Sequence, residues 1–421
     1  MVGFCAAKIG ADSTIRAGHA NTMDAPEKSE KRLWLFGVLI APTAMLSHGL
    51  VSGTLSLLLR EQGVGLARGA SIVSLLTLPF VINFLWSPIT DFGLRRRNWI
   101  MAAAVVAALL LVVAFHMQNL ASPAAIAVLF LSSCFGQLVL VSCGGMMGLL
   151  SSESARRRAG GFYQGGSLAF GSVGVFVISM LAGRISLHAL SWVIGGMVAL
   201  PALAALAAPV QQKMVRESFA EEIRRIGREF RRTFLRWEAV PYVVLLCSPL
   251  GTGAAIGLLT GLAKDYQVSA HEVAWINGAA SLVLMPAGAV MAGMLPVRLK
   301  SMVGFLATSA INAGTLVVLW VGPLRPATYY VSTMLFLFTI GACYAMYTAV
   351  ALEFLGDSGK SGSARFSIIN SIGNGPVTYM DWVDGRGYAL WGPRGLPATD
   401  AVLGLSASGL WLVYFLLRRK K

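Results

Sequence analysis

One stretch decides how this chain folds. It reads Gly69-Ala70-Ser71-Ile72-Val73-Ser74-Leu75-Leu76-Thr77-Leu78-Pro79-Phe80-Val81-Ile82-Asn83-Phe84-Leu85-Trp86-Ser87-Pro88-Ile89-Thr90, then Asp91-Phe92-Gly93-Leu94-Arg95-Arg96-Arg97-Asn98, then a second apolar run from Trp99 to Met117. Two runs without a formal charge flank one short knot of charge. Each run is close to the roughly 20 residues that a helix needs to cross the hydrocarbon of a bilayer. Cations clustered in a short loop between two such runs mark the cytoplasmic side of a helical hairpin.

Outward from this hairpin the pattern repeats. Apolar runs fall near Leu33–Leu59, Gly69–Thr90, Trp99–Met117, Ala124–Leu150, Gly160–Gly183 and Leu187–Ala208. A second set falls near Ala239–Ala263, Val273–Leu295, Met302–Val321, Thr328–Leu352, Phe366–Val383 and Ala401–Leu417. These predict twelve membrane-crossing helices. Phe366–Val383 carries the faintest signal, because Asn370, Asn374, Pro376 and Asp381 fall inside it. Composition agrees. Of 421 residues, 56% are hydrophobic and 13% charged, whereas soluble domains carry about 25% charged residues. A soluble enzyme could not bury this apolar excess, and the hydrophobicity is too high for the 46 glycines to signal disorder.

The net charge of +15 sorts by side. With the N-terminus placed in the cytoplasm, 27 of the 34 Lys and Arg fall in internal segments and 7 in external loops, namely Arg60, Arg68, Arg184, Lys264, Arg325, Arg386 and Arg394. The excess is a topology signal that places both termini inside, against anionic inner-leaflet lipids. A nucleic-acid partner is not needed to explain it. Residues 1–32 form a polar tail, expected to be disordered. They contain no apolar core of a cleavable signal, and Met23 reads as a natural start. From Arg216 to Trp237, Phe219, Ile223, Ile226, Phe230, Phe234 and Trp237 recur at steps of three and four, opposite Arg224, Arg225, Arg228, Arg231 and Arg232. That is a basic amphipathic helix, expected to lie on the inner leaflet. The domains expected are therefore a tail (1–32), a six-helix bundle (33–208), a cytoplasmic linker (209–238), a second six-helix bundle (239–417) and a basic tail (418–421). The two halves are offset by about 205 residues, a repeat that transporters place around a mid-membrane site.

The segment Phe84–Asp91, with Arg95-Arg96-Arg97-Asn98-Trp99 after it, resembles the loop signature of the major facilitator superfamily. The form Phe-Leu-Trp-Ser-Pro…Asp, with support from Arg365–Gly385, resembles the branch of muropeptide permeases and acetyl-CoA transporters. Two departures stand out. Ser87 or Pro88 replaces the glycine that opens the signature, and the second-half counterpart, Pro296-Val297-Arg298-Leu299-Lys300, has no acid. The resemblance implies an all-α membrane protein of the major facilitator fold in a bacterial inner membrane. It also implies that Asp91 latches the cytoplasmic face with Arg95, Arg96 and Arg97. Charge-assisted hydrogen bonds between an acid and guanidinium groups supply such a latch. Glu153 with Arg156 and Arg157, and Glu353 with Arg365, are candidates for the same network.

Strongly polar residues inside spans are costly and mark functional positions. His48, near the centre of the first span, is the sharpest candidate for substrate binding or proton relay, because histidine titrates near neutral pH. Asn83, Gln137, Gln164, Asn277, Tyr344, Tyr347, Asn370 and Asn374 are the other lining candidates, in spans that the resemblance places around the cavity. Asn312, in the ninth span, is assigned to packing. No Lys, Arg, Asp or Glu sits in the middle of an expected span, and Asp381-Trp382-Val383-Asp384-Gly385 reads as a turn closing the eleventh helix. Proton coupling would then rest on His48 or on peripheral acids. Gly253, Gly257 and Gly261, and Gly161 with Gly165, have the spacing of close helix contacts. The five cysteines show no metal-type pairing, and no cofactor is expected. There is no phosphate loop or nucleophile elbow. The expected function is secondary transport of a small to medium polar organic solute, muropeptide- or sugar-like, by a monomer. A non-transporting receptor or scaffold of the same fold, or a membrane-embedded enzyme, is the alternative.

Overall fold

A computed structural model describes residues 32–85, 89–90, 94–117, 119–148, 150, 153–208, 224, 227–228, 231, 237, 239–294, 301–355 and 362–418. Among them all regular structure is helical. The first span, α1, is bent by 42° between Leu35–Val51 and Leu55–Glu61. Its middle, Met45–Val51, is a π-turn, in which the Ser52 amide donates five residues back to Ser47 (2.8 Å). Such turns occur mostly at functional positions in helices. Then come α2 (Leu66–Val81), α3 (Arg96–Phe115), α4 (Pro123–Gly148), α5 (Glu153–Leu181) and α6 (Leu187–Ala199, continued as a tighter helix over Leu200–Ala207).

The second half opens with two short helices, α7a (Val240–Leu246) and α7b (Ala255–Leu262). It continues with α8 (Ala270–Val273, a π-turn over Ala274–Ala279, then Ser281–Gly293), α9 (Ser301–Val321), α10 (Pro326–Leu355), α11 (Gly362–Trp391) and α12 (Gly395–Arg418). Nine helical stretches among the described residues are long and apolar enough to cross a membrane, or ten counting the bent α1. The difference from the expected twelve has two sources. The stretch Ser371–Leu417 contains two helices, α11 and α12, that meet at Gly392–Arg394. The seventh expected span is broken. Between α7a and α7b the chain unwinds, because Pro249 lacks an amide hydrogen and Gly251 and Gly253 adopt φ of +53° and +73°, open mainly to glycine. Gly253 is therefore not part of a helical stripe.

Local chemistry explains the other ends. Ser186 caps α6, accepting from the Ala189 amide at 3.2 Å. Ser269 and Glu272 form a reciprocal capping box at the start of α8, and Tyr330 of α10 donates to the Glu272 carboxylate. Ser269→Ala should destabilise the protein by about 1 kcal/mol, read as a lower melting temperature in detergent.

Many large apolar side chains face outward, among them Leu109 (54% exposed), Leu203 (55%) and Leu410 (72%), as a lipid-facing surface requires. Lipid tails are as apolar as leucine, so helix association relies on close packing and polar contacts. In the first half α1 lies on α5 with Gly49 against Gly174 and Gly37 against Gly166. The expected stripe at Gly161 and Gly165 makes no such contact. Neither would carry a Cβ within 4 Å of another atom. In the second half Gly341 of α10 sits on the Met285 carbonyl and Gly288 of α8 on the Phe338 carbonyl. Asn312 donates to the Phe336 carbonyl (3.2 Å) and the Thr339 hydroxyl (2.9 Å), which is the packing role expected of it.

Candidate functional site

The two halves meet along three helix pairs. The face opposite the chain's ends, where α1 turns into α2 and α7b into α8, is called distal below. There α1 and α7b pack in a regular register. Gly257 abuts the Ser52 carbonyl, Gly261 abuts the Ser56 side chain, and Arg60 pairs with Asp265 at 2.8 Å. Each pair is separated by 205 residues, so the internal repeat appears as a contact register. The Ser56 hydroxyl also donates to the Gly257 carbonyl. Arg60 donates to the Tyr388 hydroxyl of α11 at 3.0 Å, and that hydroxyl reaches Asp265 at 3.1 Å. This is the one ion pair among the described residues.

The other two pairs extend the contact. Between α5 and α8 the Ser281 hydroxyl donates to Ser172 (2.7 Å), Gly278 lies on the Phe176 backbone, and Trp275 meets the Phe176 ring edge-on at 5.4 Å. Antiparallel α2 and α11 touch at Ala70 and Gly385. Nearer the chain's ends the Ser74 hydroxyl donates to the Thr378 carbonyl (2.7 Å) and the Ser371 hydroxyl to the Asn83 amide oxygen (2.8 Å).

His48 lies one turn below Ser52 on α1, toward the chain's ends. It is the one exposed side chain between Ala41 and Val51, where every neighbour is buried. Its Cβ rests on Gly171 of α5, which lets the helices approach and carries the ring past α5. By the 205-residue register its counterpart is Gly253, in the unwound stretch of the second half. Gly253 in turn abuts the Tyr344 hydroxyl of α10. The Tyr347 hydroxyl donates to the Ile369 carbonyl of α11 (3.0 Å) and lies on Gly373. His48 on the first half, and the α7 break with Tyr344 and Tyr347 on the second, thus lie on the chain-end side of the distal contacts. Backbone unwound in this way is tolerated at membrane depth only where protein or water surrounds it.

The other candidates sit elsewhere. Gln137 is buried, with its amide 3.5 Å from the Ser47 hydroxyl of α1 and its own oxygen unpartnered. Asn277 lies in the α8 π-turn and accepts from Tyr329 at 2.9 Å. Gln164 is exposed on α5. Asn83 takes part in the α2–α11 contact. Asp91 lies outside the described residues, as do the side chains of Glu153, Arg156, Arg157, Glu353, Arg365 and Asn370. Arg95 is exposed, Arg97 is half-buried, and Arg96 lays its guanidinium against Gly145 of α4. Of the linker helix, Arg224, Gly227, Arg228 and Arg231 are described, helical and exposed on one face, and Trp237 is 91% exposed. Its remaining apolar positions lie outside the described residues.

One expectation about acids is corrected. The stretch Asp381–Gly385 is not a turn. It lies inside α11, which runs on to Trp391. Asp381 and Asp384 are 2% and 0% exposed, and Asp400, inside α12, is 8% exposed. Carboxyl groups therefore do sit buried within packed helices, toward the distal end of α11. Sequence reading missed them because two acids, an arginine and three glycines within Asp381–Gly392 lower the apolar signal of a helix that is buried by its neighbours. The i, i+3 spacing of Asp381 and Asp384, which puts both on one helix face, was the available clue.

The profile described as Major Facilitator Superfamily matches residues 37–377. No curated protein sequence matches the chain significantly. Among solved structures, the chain is similar to the nucleoside transporter NupG at 14% identity, covering 91% of this chain and 99% of that one with a TM-score of 0.66. It is similar to the peptide transporter POT in complex with sulfate at 12% identity, covering 93% and 94% with a TM-score of 0.64. A POT family transporter in complex with 5-aminolevulinic acid matches at 11% identity, covering 91% and 96% with a TM-score of 0.65. At these identities the structures speak for the fold, and the profile for kinship. A helical, multi-pass membrane protein whose halves pack along three helix pairs, and whose sequence matches that profile over most of its length, belongs to the major facilitator superfamily of transporters.

Proposed function

We propose that the protein is a secondary active transporter or facilitator that moves a small to medium polar organic solute by alternating access. In this reading α7a and α7b form one broken span, which brings the total to twelve. The distribution of 27 against 7 basic residues puts both termini in the cytoplasm and the distal face outside. The home is a bacterial inner membrane, and the working unit is a monomer. A muropeptide- or sugar-like solute follows from the branch resemblance alone.

The observation that carries the reading is the contrast along α1. Ser52, Ser56 and Arg60 are closed against the other half, while His48, one turn away, is exposed. A path sealed on one face and open below the seal is what alternating access requires. Asn83, Gln137, Gln164, Asn277, Tyr344, Tyr347, Asn370 and Asn374 are the proposed lining or supporting set around His48. Asp91, Arg95, Arg96, Arg97, Glu153, Arg156, Arg157, Glu353 and Arg365 are the proposed inner latch. Arg96 supports that role by lying against α4, where it can tie two helices.

Counterflow in proteoliposomes tests the reading. Folded protein should exchange at least one radiolabelled member of a panel of sugars, muropeptides, peptides and nucleosides. No exchange with any of them would favour a receptor or scaffold. His48→Ala should raise the KM or flatten the pH profile of that exchange between about pH 5 and 8, and an unchanged profile removes the histidine as a relay. Asp91→Asn should slow flux while leaving membrane insertion intact.

A further inference from the structure

The acids of α11 and α12 are a second polar centre. Asp381 and Asp384 are on one face of α11, and Asp400 is buried near the start of α12, where its neighbour Thr399 abuts Gly387 of α11. Neither oxygen of the fully buried Asp384 receives a hydrogen bond from any donor, and one oxygen of Asp381 is also unpartnered. The Thr77 hydroxyl of α2 is committed to the Ser74 carbonyl, to which it donates at 3.0 Å. The helices approach closely around these carboxyls. Gly387 lies on the Gly395 carbonyl where α11 meets α12, and Gly385 lies on Ala70 of α2.

Among the described residues no Lys or Arg pairs with them. On α2 the only charged residue is Arg68, which donates to the Ala121 carbonyl. On α11 Arg386 is exposed and stacks on Trp382 at 5.0 Å, and Arg365 lies some four turns away. Before Arg418, α12 has no charge besides Asp400, and α9 and α7b have none. Beyond α12's start, Arg394 donates to the Gly322 carbonyl. At the distal ends, Arg60 is spent on Asp265 and Tyr388, with Glu61 and Lys264 beside them. From α10 the Tyr344 hydroxyl lies against Gly253 of the α7 break. Buried carboxylates without donors or cations carry a cost of several kcal/mol each, and two adjacent carboxyls cannot both be ionised cheaply.

We propose that Asp381, Asp384 and Asp400 form a proton-binding site that holds protons while the distal seal is closed and releases them when it opens. It rests on the transporter reading above and names its coupling ion. Each release is the breaking of one carboxyl O–H bond, with the proton passing to water and the electron pair staying as carboxylate. A proton bridging Asp384 and Asp400 supplies the donor that neither oxygen otherwise has. A metal cation fits less well, since no three His, Cys, Asp or Glu among the described residues converge on one point. Position makes the site a coupling element. Tyr388, one turn beyond Asp384 on α11, belongs to the distal seal, and Gly373, about two turns before Asp381 on the same helix, lies against the Tyr347 hydroxyl of α10. The site therefore sits on α11 between the seal and the contact with α10.

Infrared difference spectroscopy on the full chain in liposomes reads the protonated carboxyl directly and needs no solute. Wild type at neutral pH should show a buried carboxylic-acid C=O band that disappears on alkaline titration. Asp384→Asn and Asp400→Asn should each reduce it, and each should fold as wild type does, because a protonated acid and an amide are near isosteres. A missing band in folded wild type, or an equal band in both variants, overturns the proposal. So does a band removed by sodium chloride but not by choline chloride, which would make this a sodium site. Coupling is read by nitroxide labels at Gly65→Cys and Lys264→Cys, with the native cysteines changed to serine. Their separation should widen at alkaline pH, and Asp384→Asn should lose that response. A pH-independent separation in the labelled wild type overturns the coupling. Failed counterflow beside an intact, titrating band would reject transport and leave the site standing.

Discussion

Gly257→Leu should abolish transport while leaving the protein folded and inserted. A Cβ at this position falls on the Ser52 carbonyl of the other half. The obstruction is backbone, which cannot rotate away as a side chain can, so the relief is to part α1 from α7b. Inserting methylenes into a packed contact costs about 1–3 kcal/mol even when side chains can shift, and here the whole penalty falls on one of two conformations. A penalty of that size, borne by one state only, shifts the population roughly ten- to a hundredfold toward distal-open. Exchange should fall at least tenfold for leucine, with alanine intermediate, because the first methyl already meets the carbonyl. Gly196→Ala is the control, since nothing lies within 4 Å of a Cβ there. A folded Gly257→Leu protein with normal flux would show that the α1–α7b contact is not part of the cycle.

Charge removal at Arg60 or Asp265 should have the next largest effect. The pair is mostly buried, with side chains 15% and 18% exposed, and Tyr388 bonds to both members. Arg60→Gln leaves Asp265 with only the Tyr388 hydroxyl, and Asp265→Asn leaves a half-buried guanidinium. Hydrogen bonds to charged groups contribute about 1.5–3 kcal/mol each, so either change should open the distal face roughly ten- to a hundredfold more often. Label separations across the distal mouth read this directly. The double exchange Arg60→Asp with Asp265→Arg should recover part of the closure. Recovery would show that the pair acts through charge across the seam. Equal opening in the double exchange and the singles would assign the effect to packing of Tyr388.

These two results address the same seam from different chemistry, and the sequence foretold its ingredients unevenly. Gly257 and Gly261 were visible as a small-residue stripe, but Gly253, one step earlier in the same spacing, was not separable from it. Only the fold shows that Pro249 and two positive-φ glycines unwind the chain there. Arg60 read as a stray external charge and its partner Asp265 drew no notice, because an ion pair between residues 205 apart leaves no local trace. His48 was legible, since a histidine in an apolar run is conspicuous wherever the run packs. Its exposure was not, because exposure depends on the second half of the chain.

The sequence by itself determined the solvent, the helical class, the two-fold repeat and the expected sidedness. These follow from run length, charge content and the placement of basic residues, which are sums over local composition. Tertiary structure alone decided which polar groups are paired. It carried α11 through Asp381–Gly385, where local polarity argues for a stop, because α2 and α12 cover that face and satisfy the helix by packing. It left Asp384 without a donor and His48 without cover. Burial and partnership are properties of neighbours distant in the chain, and helix-to-helix contacts in a membrane are set by shape complementarity at glycines and small polar residues, which single-segment hydropathy does not encode.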